Sequence, residues 1–174
     1  MKKDSFVKDA IVLTAITLVS GLLLGGVYGL TKQRIYEANM ASTIESYHKV
    51  MDAESYDEES LTDALEKAKT DGTVSADNGG AELLSAVAAK DAGGEAIGYI
   101  VKGQAAGYGG NVIVVVGVTP DRKVSGISFP ETLPETAGLG QKATEPEFYK
   151  QFAGKGTKLS VKKGGGAGEN EIDA

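Results

Sequence analysis

The strongest strand pattern in the chain is VIVVVGV at residues 112–118, followed by the turn TPDR at residues 119–122 and the alternating segment VSGISF at residues 124–129. The first segment is almost continuously apolar, which is typical of a strand that is buried on both faces. Pro120 suits the turn, and the alternation after it predicts that residues 124–129 pair back as a hairpin. We therefore expect an antiparallel sheet at the centre of the fold.

Two glycine-rich loops flank this hairpin. IGYIVK at residues 97–102 predicts another strand. The loop that follows it, residues 103–110, ends in the sequence GYGG, and we call residues 107–110 the GYGG loop. PETAGLG follows the hairpin and is called the PETAGLG loop (residues 134–140). It carries one carboxylate and one hydroxyl, and neither histidine nor cysteine lies near it in sequence. Such a loop brings backbone amides close to a ligand rather than performing acid–base chemistry.

A short helix is predicted after the PETAGLG loop. Thr144 is its expected N-cap, Pro146 lies in the first turn, and Glu147 completes a T-x-x-E capping box. Phe148 and Phe152, four residues apart, are expected to pack this helix on the sheet. The predicted fold class is α+β, with a twisted antiparallel sheet and packed helices.

The N-terminal part of the chain reads as a membrane span. Residues 10–30, AIVLTAITLVSGLLLGGVYGL, contain no charge, and as a helix they would extend about 32 Å, close to the roughly 30 Å hydrocarbon core of a bilayer. A cleaved signal peptide is the alternative, but its apolar region usually covers only about 7–15 residues and ends in a small-x-small cleavage site. We therefore expect a retained anchor.

Small residues recur every fourth position in this span and predict packing against another membrane helix. The alternative is that glycine is simply common in membrane helices. The residues of this ridge are Thr17, Gly21, Gly25 and Gly29.

The expected organisation has four parts. Residues 1–9 are a cytoplasmic N-terminus, residues 10–30 the transmembrane helix, residues 31–95 a helical connecting region, and residues 96–174 the strand-rich domain. Three lysines precede the span and two basic residues follow it closely, so the positive-inside bias slightly favours an extracytoplasmic C-terminal domain in the cell membrane.

Composition excludes several kinds of site. The chain has no cysteine, which excludes disulfides and thiolate iron–sulfur clusters. His48 is the single histidine, so a histidine-rich metal site is excluded and a Ser-His-Asp triad is disfavoured; we expect neither a metal nor a catalytic residue. The net charge of −6 argues against nucleic-acid binding. Electron-transfer chemistry would therefore need an organic cofactor.

The order of motifs is similar to that of the FMN-binding domain family. GYGG, an apolar strand, a turn, a second strand, E-T-x-G-L-G, a lysine and an aromatic helix ending in QF-x-G-K follow one another in residues 107–155. With its anchor and size, the chain resembles the G subunits of Rnf-type ion-translocating ferredoxin:NAD oxidoreductases. Ala137 and Asn111 replace prolines that are usual in the family, and these changes remove no polar ligand group.

The resemblance implies FMN as the cofactor and a set of residues that line it. The PETAGLG loop would lie against the isoalloxazine ring, the GYGG loop would face it, and a lysine would place positive charge near the flavin or its phosphate. The implied residues are Tyr108, Gly109, Glu135, Thr136, Gly138, Leu139, Gly140 and Lys142.

The resemblance also implies covalent attachment of FMN through its phosphate to a threonine in an S-G-A-T-x-T motif, made by a flavin transferase. This motif is absent from the sequence, which ends at Ala174 after a segment that directly precedes the motif in relatives. We expect the sequence to be truncated there, with the threonine beyond Ala174; the alternatives are noncovalent flavin or none.

The function implied is electron transfer through FMN, with the other membrane and redox subunits of an Rnf-type complex as partners. Two alternatives remain. One is the C subunit of a sodium-translocating NADH:quinone reductase, and the other is a non-enzymatic anchored extracytoplasmic assembly or binding protein.

Overall fold

The computed structural model describes residues 3–72, 80–130, 132–156, 158–164 and 168–174. By their contacts the residues form two compact units, Met1–Ala41 and Ser42–Ala174. The helices are α1 (Lys3–Val50), α2 (Glu59–Thr70) and α3 (Pro146–Tyr149), with short 3₁₀ helices at Gly140–Thr144 and Lys150–Phe152. The strands are β1 (Ser55–Asp57), β2 (Glu82–Lys90), β3 (Ala96–Ala106), β4 (Asn111–Val118), β5 (Val124–Ser128), β6 (Ser160–Lys162) and β7 (Glu171–Asp173).

The first unit consists of the N-terminal part of α1, and its apolar side chains are exposed. Leu22, Leu24 and Leu30 are 75%, 73% and 83% exposed. This helix is long and apolar enough to cross a membrane, with a mean hydropathy of 2.3 in its most apolar window. The hydroxyls of Thr14 and Thr31 donate to carbonyls one turn earlier in the same helix, so each has a hydrogen-bond partner within it. The long apolar helix predicted for residues 10–30 is therefore present, as part of α1.

The small-residue ridge lies on this exposed helix. A Cβ added at Gly21, Gly25 or Gly29 would have no neighbour within 4 Å. The surface is thus open for a partner helix, and packing through this ridge stays a prediction.

The second unit is built on a five-stranded antiparallel sheet in the order β1-β2-β3-β4-β5. The last turns of α1 cover one face of this sheet. Tyr47 and Val50 of the helix pack with Val87, Ile100 and Val115 of the strands, and all five are at most 4% exposed. The expected α+β class, with an antiparallel sheet and packed helices, is confirmed.

The hairpin prediction is confirmed, and the sheet is larger than expected. Thr119 O accepts a hydrogen bond from Arg122 N at 2.9 Å in the turn between β4 and β5. However, β1 and β2 fall within residues 31–95, which were expected to be a helical connecting region, and β3 continues to Ala106, past the expected end at residue 102. In β2, alanines at residues 86, 88 and 89 hide the strand pattern, and pairing with β1 and β3 supplies the ladder.

The expectation that residues 112–118 are buried on both faces was wrong. Val115 is fully buried beneath α1, whereas Val112, Val114 and Val116 line an apolar cleft of about 340 Å³. Phe148 and Phe152 line the same cleft, with their ring centroids 5.6 Å apart. The helical segment over this face is short, so the strand is only half-buried there.

The prediction of a capping box that begins at Thr144 was also wrong. Thr144 ends the preceding 3₁₀ helix, and its hydroxyl donates back to Gln141 O at 2.8 Å. Glu145 therefore occupies the N-cap of α3 without a side-chain cap, and Pro146 takes the first helical position as expected. The bond to Gln141 O engages the Thr144 hydroxyl within the 3₁₀ turn, so this hydroxyl does not cap α3.

Candidate functional site

The GYGG and PETAGLG loops contact each other through one carboxylate. Glu135 Oε1 accepts a hydrogen bond from the backbone N–H of Tyr108 at 2.8 Å. The GYGG loop is closed by a second bond, from Gly107 N to Gly110 O at 2.8 Å. The two loops flanking the hairpin therefore form one continuous wall.

Glycine is required in this wall because the backbones approach closely. A Cβ on Gly107 would lie 2.1 Å from Glu135 Oε1, and one on Gly109 would lie 1.7 Å from Pro134 O. A Cβ on Gly140 would lie 2.7 Å from Glu135 Cβ. Real side-chain atoms do not approach so closely, so these glycines allow the loops to pack on each other.

The PETAGLG loop folds over its own backbone. Thr136 O accepts hydrogen bonds from Leu139 N at 3.1 Å and Gln141 N at 3.3 Å. Gly138 has a φ of 73°, a left-handed conformation that favours glycine, and an added Cβ there would meet no atom within 4 Å. The turn therefore holds Leu139 outward, and its side chain is 75% exposed.

A groove of about 490 Å³ opens beside this turn, within the roughly 300–1,000 Å³ range of small-molecule sites. Leu139 and Phe148 supply apolar surface, and Lys142 supplies a cation. Carboxylates also line it. The residues of the groove are Leu139, Gly140, Lys142, Ala143, Glu145, Glu147, Phe148, Gln151, Asp173 and Ala174. With three carboxylates against one lysine, the groove suits an uncharged ring better than a phosphate.

The far side of the groove is fixed by Gln151. Its side-chain amide donates to Asp173 O at 3.0 Å and accepts from Asp173 N at 2.8 Å, as a neighbouring strand would. These bonds hold β7 at the groove. Sequence reasoning gave Gln151 no role, because the contact joins residues 22 positions apart and no local pattern signals it.

The structure brings some of the predicted site residues together and separates others. Leu139, Gly140 and Lys142 line the groove. Glu135 lies behind it, between the two loops, and Tyr108 is 93% exposed and lines no part of it. Gly109, Thr136 and Gly138 are exposed on the loops around it.

The chemistry available at this wall is binding and orientation. Across the described residues, no three histidine, cysteine or acidic side chains are grouped to hold a metal. Leu139 and Phe148 offer apolar contact, Lys142 offers positive charge, and a hydrogen bond from Tyr108 N to Glu135 joins the two loops. Such an arrangement can hold a planar redox group and influence its electron affinity.

Residues 107–174 match the model of the FMN-binding domain family, and that segment contains both loops and the groove. Two curated proteins are similar over part of the chain. The G subunit of the Na⁺-translocating ferredoxin:NAD⁺ oxidoreductase complex of Acetobacterium woodii is 42% identical over 97 residues, 53% of this chain and 45% of that protein. The G subunit of the proton-translocating complex of Clostridium ljungdahlii is 41% identical over 63 residues, 36% of this chain and 34% of that protein.

The matched segments therefore span less than half the length of these relatives. Among solved structures, the crystal structure of Shewanella oneidensis NqrC aligns with a TM-score of 0.47 and 23% sequence identity, covering 52% of this chain and 46% of that one.

Proposed function

From the match of residues 107–174 to the model of the FMN-binding domain family, we propose that this chain is the membrane-anchored flavoprotein subunit of an Rnf-type ion-translocating ferredoxin:NAD oxidoreductase. FMN is the cofactor that the family indicates. The observation that carries the proposal is the groove beside the PETAGLG loop, which lies within the family segment and joins apolar surface to one lysine.

The residues of the groove fit the ring system of FMN. Leu139 and Phe148 provide apolar contact for a flat aromatic system, and the volume of about 490 Å³ suits a cofactor of this size. No atom lies within 4 Å of the position of a Cβ at Gly138, so a ligand can approach the PETAGLG loop there. When bound, FMN supplies the electron-carrying chemistry that no side chain of the chain can provide.

The residues around the groove have distinct proposed roles. Glu135 joins the two loops through Tyr108 N, and Gly109 and Gly140 permit the close packing that this requires. Thr136 and Gly138 shape the turn that presents Leu139. Lys142 places positive charge where it favours the reduced flavin.

Electrons would pass through the groove by outer-sphere transfer, without a protein acid or base. Ion movement would occur in partner subunits, because residues 10–30 form one span without internal charge. The two relatives are named for the G subunits of sodium- and proton-translocating complexes, which supports other Rnf subunits as the partners. We further propose that a flavin transferase attaches the FMN and that the domain faces away from the cytoplasm.

The experiment is a redox titration of flavin absorbance in the protein purified from its own membranes. Lys142→Gln should shift the flavin potential to a more negative value, because a nearby cation stabilises the reduced form. Lys158→Gln is the matched control, since Lys158 is exposed and does not line the groove. A preparation without flavin absorbance, or equal potentials in both variants, would contradict the proposal for this groove.

A further inference from the structure

A second cavity lies on the other side of the helical segment, between the last turn of α1, β5 and residues 144–153. Its volume is about 560 Å³, larger than the groove beside the PETAGLG loop. Its polar lining residues are Lys49, Ser125, Ser128, Thr144, Tyr149 and Lys150. None of these residues belongs to the groove assigned to the flavin.

The charge of this cavity differs from that of the groove. Two lysines and four hydroxyl-bearing side chains line it, and no carboxylate does. This is unusual in a chain with a net charge of −6. A lining of cations and hydroxyls without carboxylates favours an anionic ligand.

Several donors in the cavity are free to bind such a ligand. Within the described part of the chain, Lys150 Nζ makes no hydrogen bond or ion pair, and Lys49 Nζ pairs only with Glu45 at 2.8 Å, which leaves two of its three hydrogens. By contrast, the hydroxyls of Ser125 and Thr144 already donate to Val50 O and Gln141 O. The lysines are therefore the main candidates for ligand contact.

Ser128 adds a hydroxyl to the two lysines of the cavity. The residue is only 7% exposed, it lines the cavity, and its hydroxyl has no hydrogen-bond partner among the described residues. Its hydroxyl is therefore available at the cavity surface to hydrogen-bond an anion. Tyr149, whose hydroxyl likewise has no partner in the described residues, lines the same space.

We propose that this cavity binds a phosphate group, either as the free anion or as a phosphate monoester, through Lys49, Lys150 and Ser128. Two ammonium groups and a serine hydroxyl match the charge and the acceptor oxygens of a phosphate. The site is separate from the flavin groove, so the inference goes beyond the proposed function.

The test is a titration of the full chain in detergent micelles with inorganic phosphate at constant ionic strength, followed by calorimetry. Saturable binding is expected, and the double variant Lys49→Gln/Lys150→Gln should weaken it at least about tenfold, a loss of about 1.4 kcal/mol. Ser128→Ala, which keeps the packing, should weaken it to a smaller extent. Lys158→Gln, at an exposed residue outside the cavity, should bind phosphate as the unmodified chain does.

Two further arms distinguish the sources of the phosphate group. FMN that competes with inorganic phosphate, while riboflavin does not, would support a phosphate monoester as the ligand; no competition by FMN would support the free anion. Nonsaturable binding, or equal affinities in the unmodified chain and the double variant, would overturn the proposal. Thermal unfolding of each variant checks that it is folded, and the single variant Lys150→Gln replaces the double one if that fails to fold.

Discussion

The carboxylate of Glu135 accepts a hydrogen bond from the backbone N–H of Tyr108 at 2.8 Å, although the two residues are 27 positions apart in sequence. The bond joins the loop before β4 to the loop after β5, and both loops lie in the segment that matches the FMN-binding domain family. One oxygen of this carboxylate, Oε1, is thus engaged by the protein itself. Its proposed role is to hold the wall of the groove rather than to contact the cofactor.

Replacing this carboxylate should destabilise the domain. Glu135→Ala removes a hydrogen bond to a charged group and leaves Tyr108 N without its partner, at an expected cost of about 1.5 kcal/mol in the free energy of unfolding. Glu135→Gln keeps an acceptor oxygen and should cost less. Denaturant unfolding measures both, with Glu54→Ala as the control at an exposed residue. Equal stability of Glu135→Ala and this control would contradict the role of the bond.

The glycines of the wall should differ in their tolerance of a side chain. Gly109→Ala places a Cβ 1.7 Å from Pro134 O, and we expect a loss of about 3 kcal/mol from overpacking. Gly138→Ala meets no atom within 4 Å and should cost only about 1 kcal/mol, from its positive φ. Thermal unfolding compares the two variants. A larger effect at Gly138 would show that the loops do not pack as described.

The parts of the fold that sequence predicted are those specified by neighbouring residues. The β4–β5 hairpin follows from Pro120 and the alternation after it, and the long helix follows from an uncharged run of residues. The parts that failed depend on distant partners. Strand β2 is recognisable only through its pairing with β1 and β3, and the hydroxyl of Thr144 is engaged by the preceding turn.

The same distinction applies to the site. Leu139, Gly140 and Lys142 follow one another in a recognisable motif and do line one groove. The role of Gln151 was missed because its side chain hydrogen-bonds the backbone of Asp173, which is 22 residues later in the sequence. The clustering of Lys49 with Lys150 likewise arises only when the end of α1 meets residues 144–153 through the sheet.

Gln151 should control the local stability of β7. Gln151→Leu removes both hydrogen bonds to the Asp173 backbone, and exchange of the Asp173 amide hydrogen should become about tenfold faster or more. Gln151→Glu keeps the acceptor for that amide and should protect it better. Hydrogen exchange measured by NMR distinguishes the variants. An unchanged exchange rate in Gln151→Leu would mean that β7 is held by β6 alone.

The β4–β5 turn should show a defined pH dependence. The Thr119 hydroxyl, which donates to Asp121 Oδ1 at 2.6 Å, lowers the pKa of that carboxyl below its ordinary value of 3.8. A carboxyl with a lowered pKa in the folded state adds stability above its unfolded pKa, and this contribution is lost as the pH falls through the folded pKa. Thr119→Val should return the Asp121 pKa toward 3.8, as carbon-13 NMR of the carboxyl can measure. An identical pKa in both proteins would rule out this cause.

The central claim is that this chain carries FMN, and in-gel flavin fluorescence of the protein from its own membranes tests it most directly. We expect the denatured band to fluoresce under ultraviolet light, because the proposed phosphoester bond survives denaturation, and the native protein to contain one FMN per chain. A dark band, together with no flavin released from the native protein, would contradict the account if another covalent flavoprotein in the same cells fluoresces.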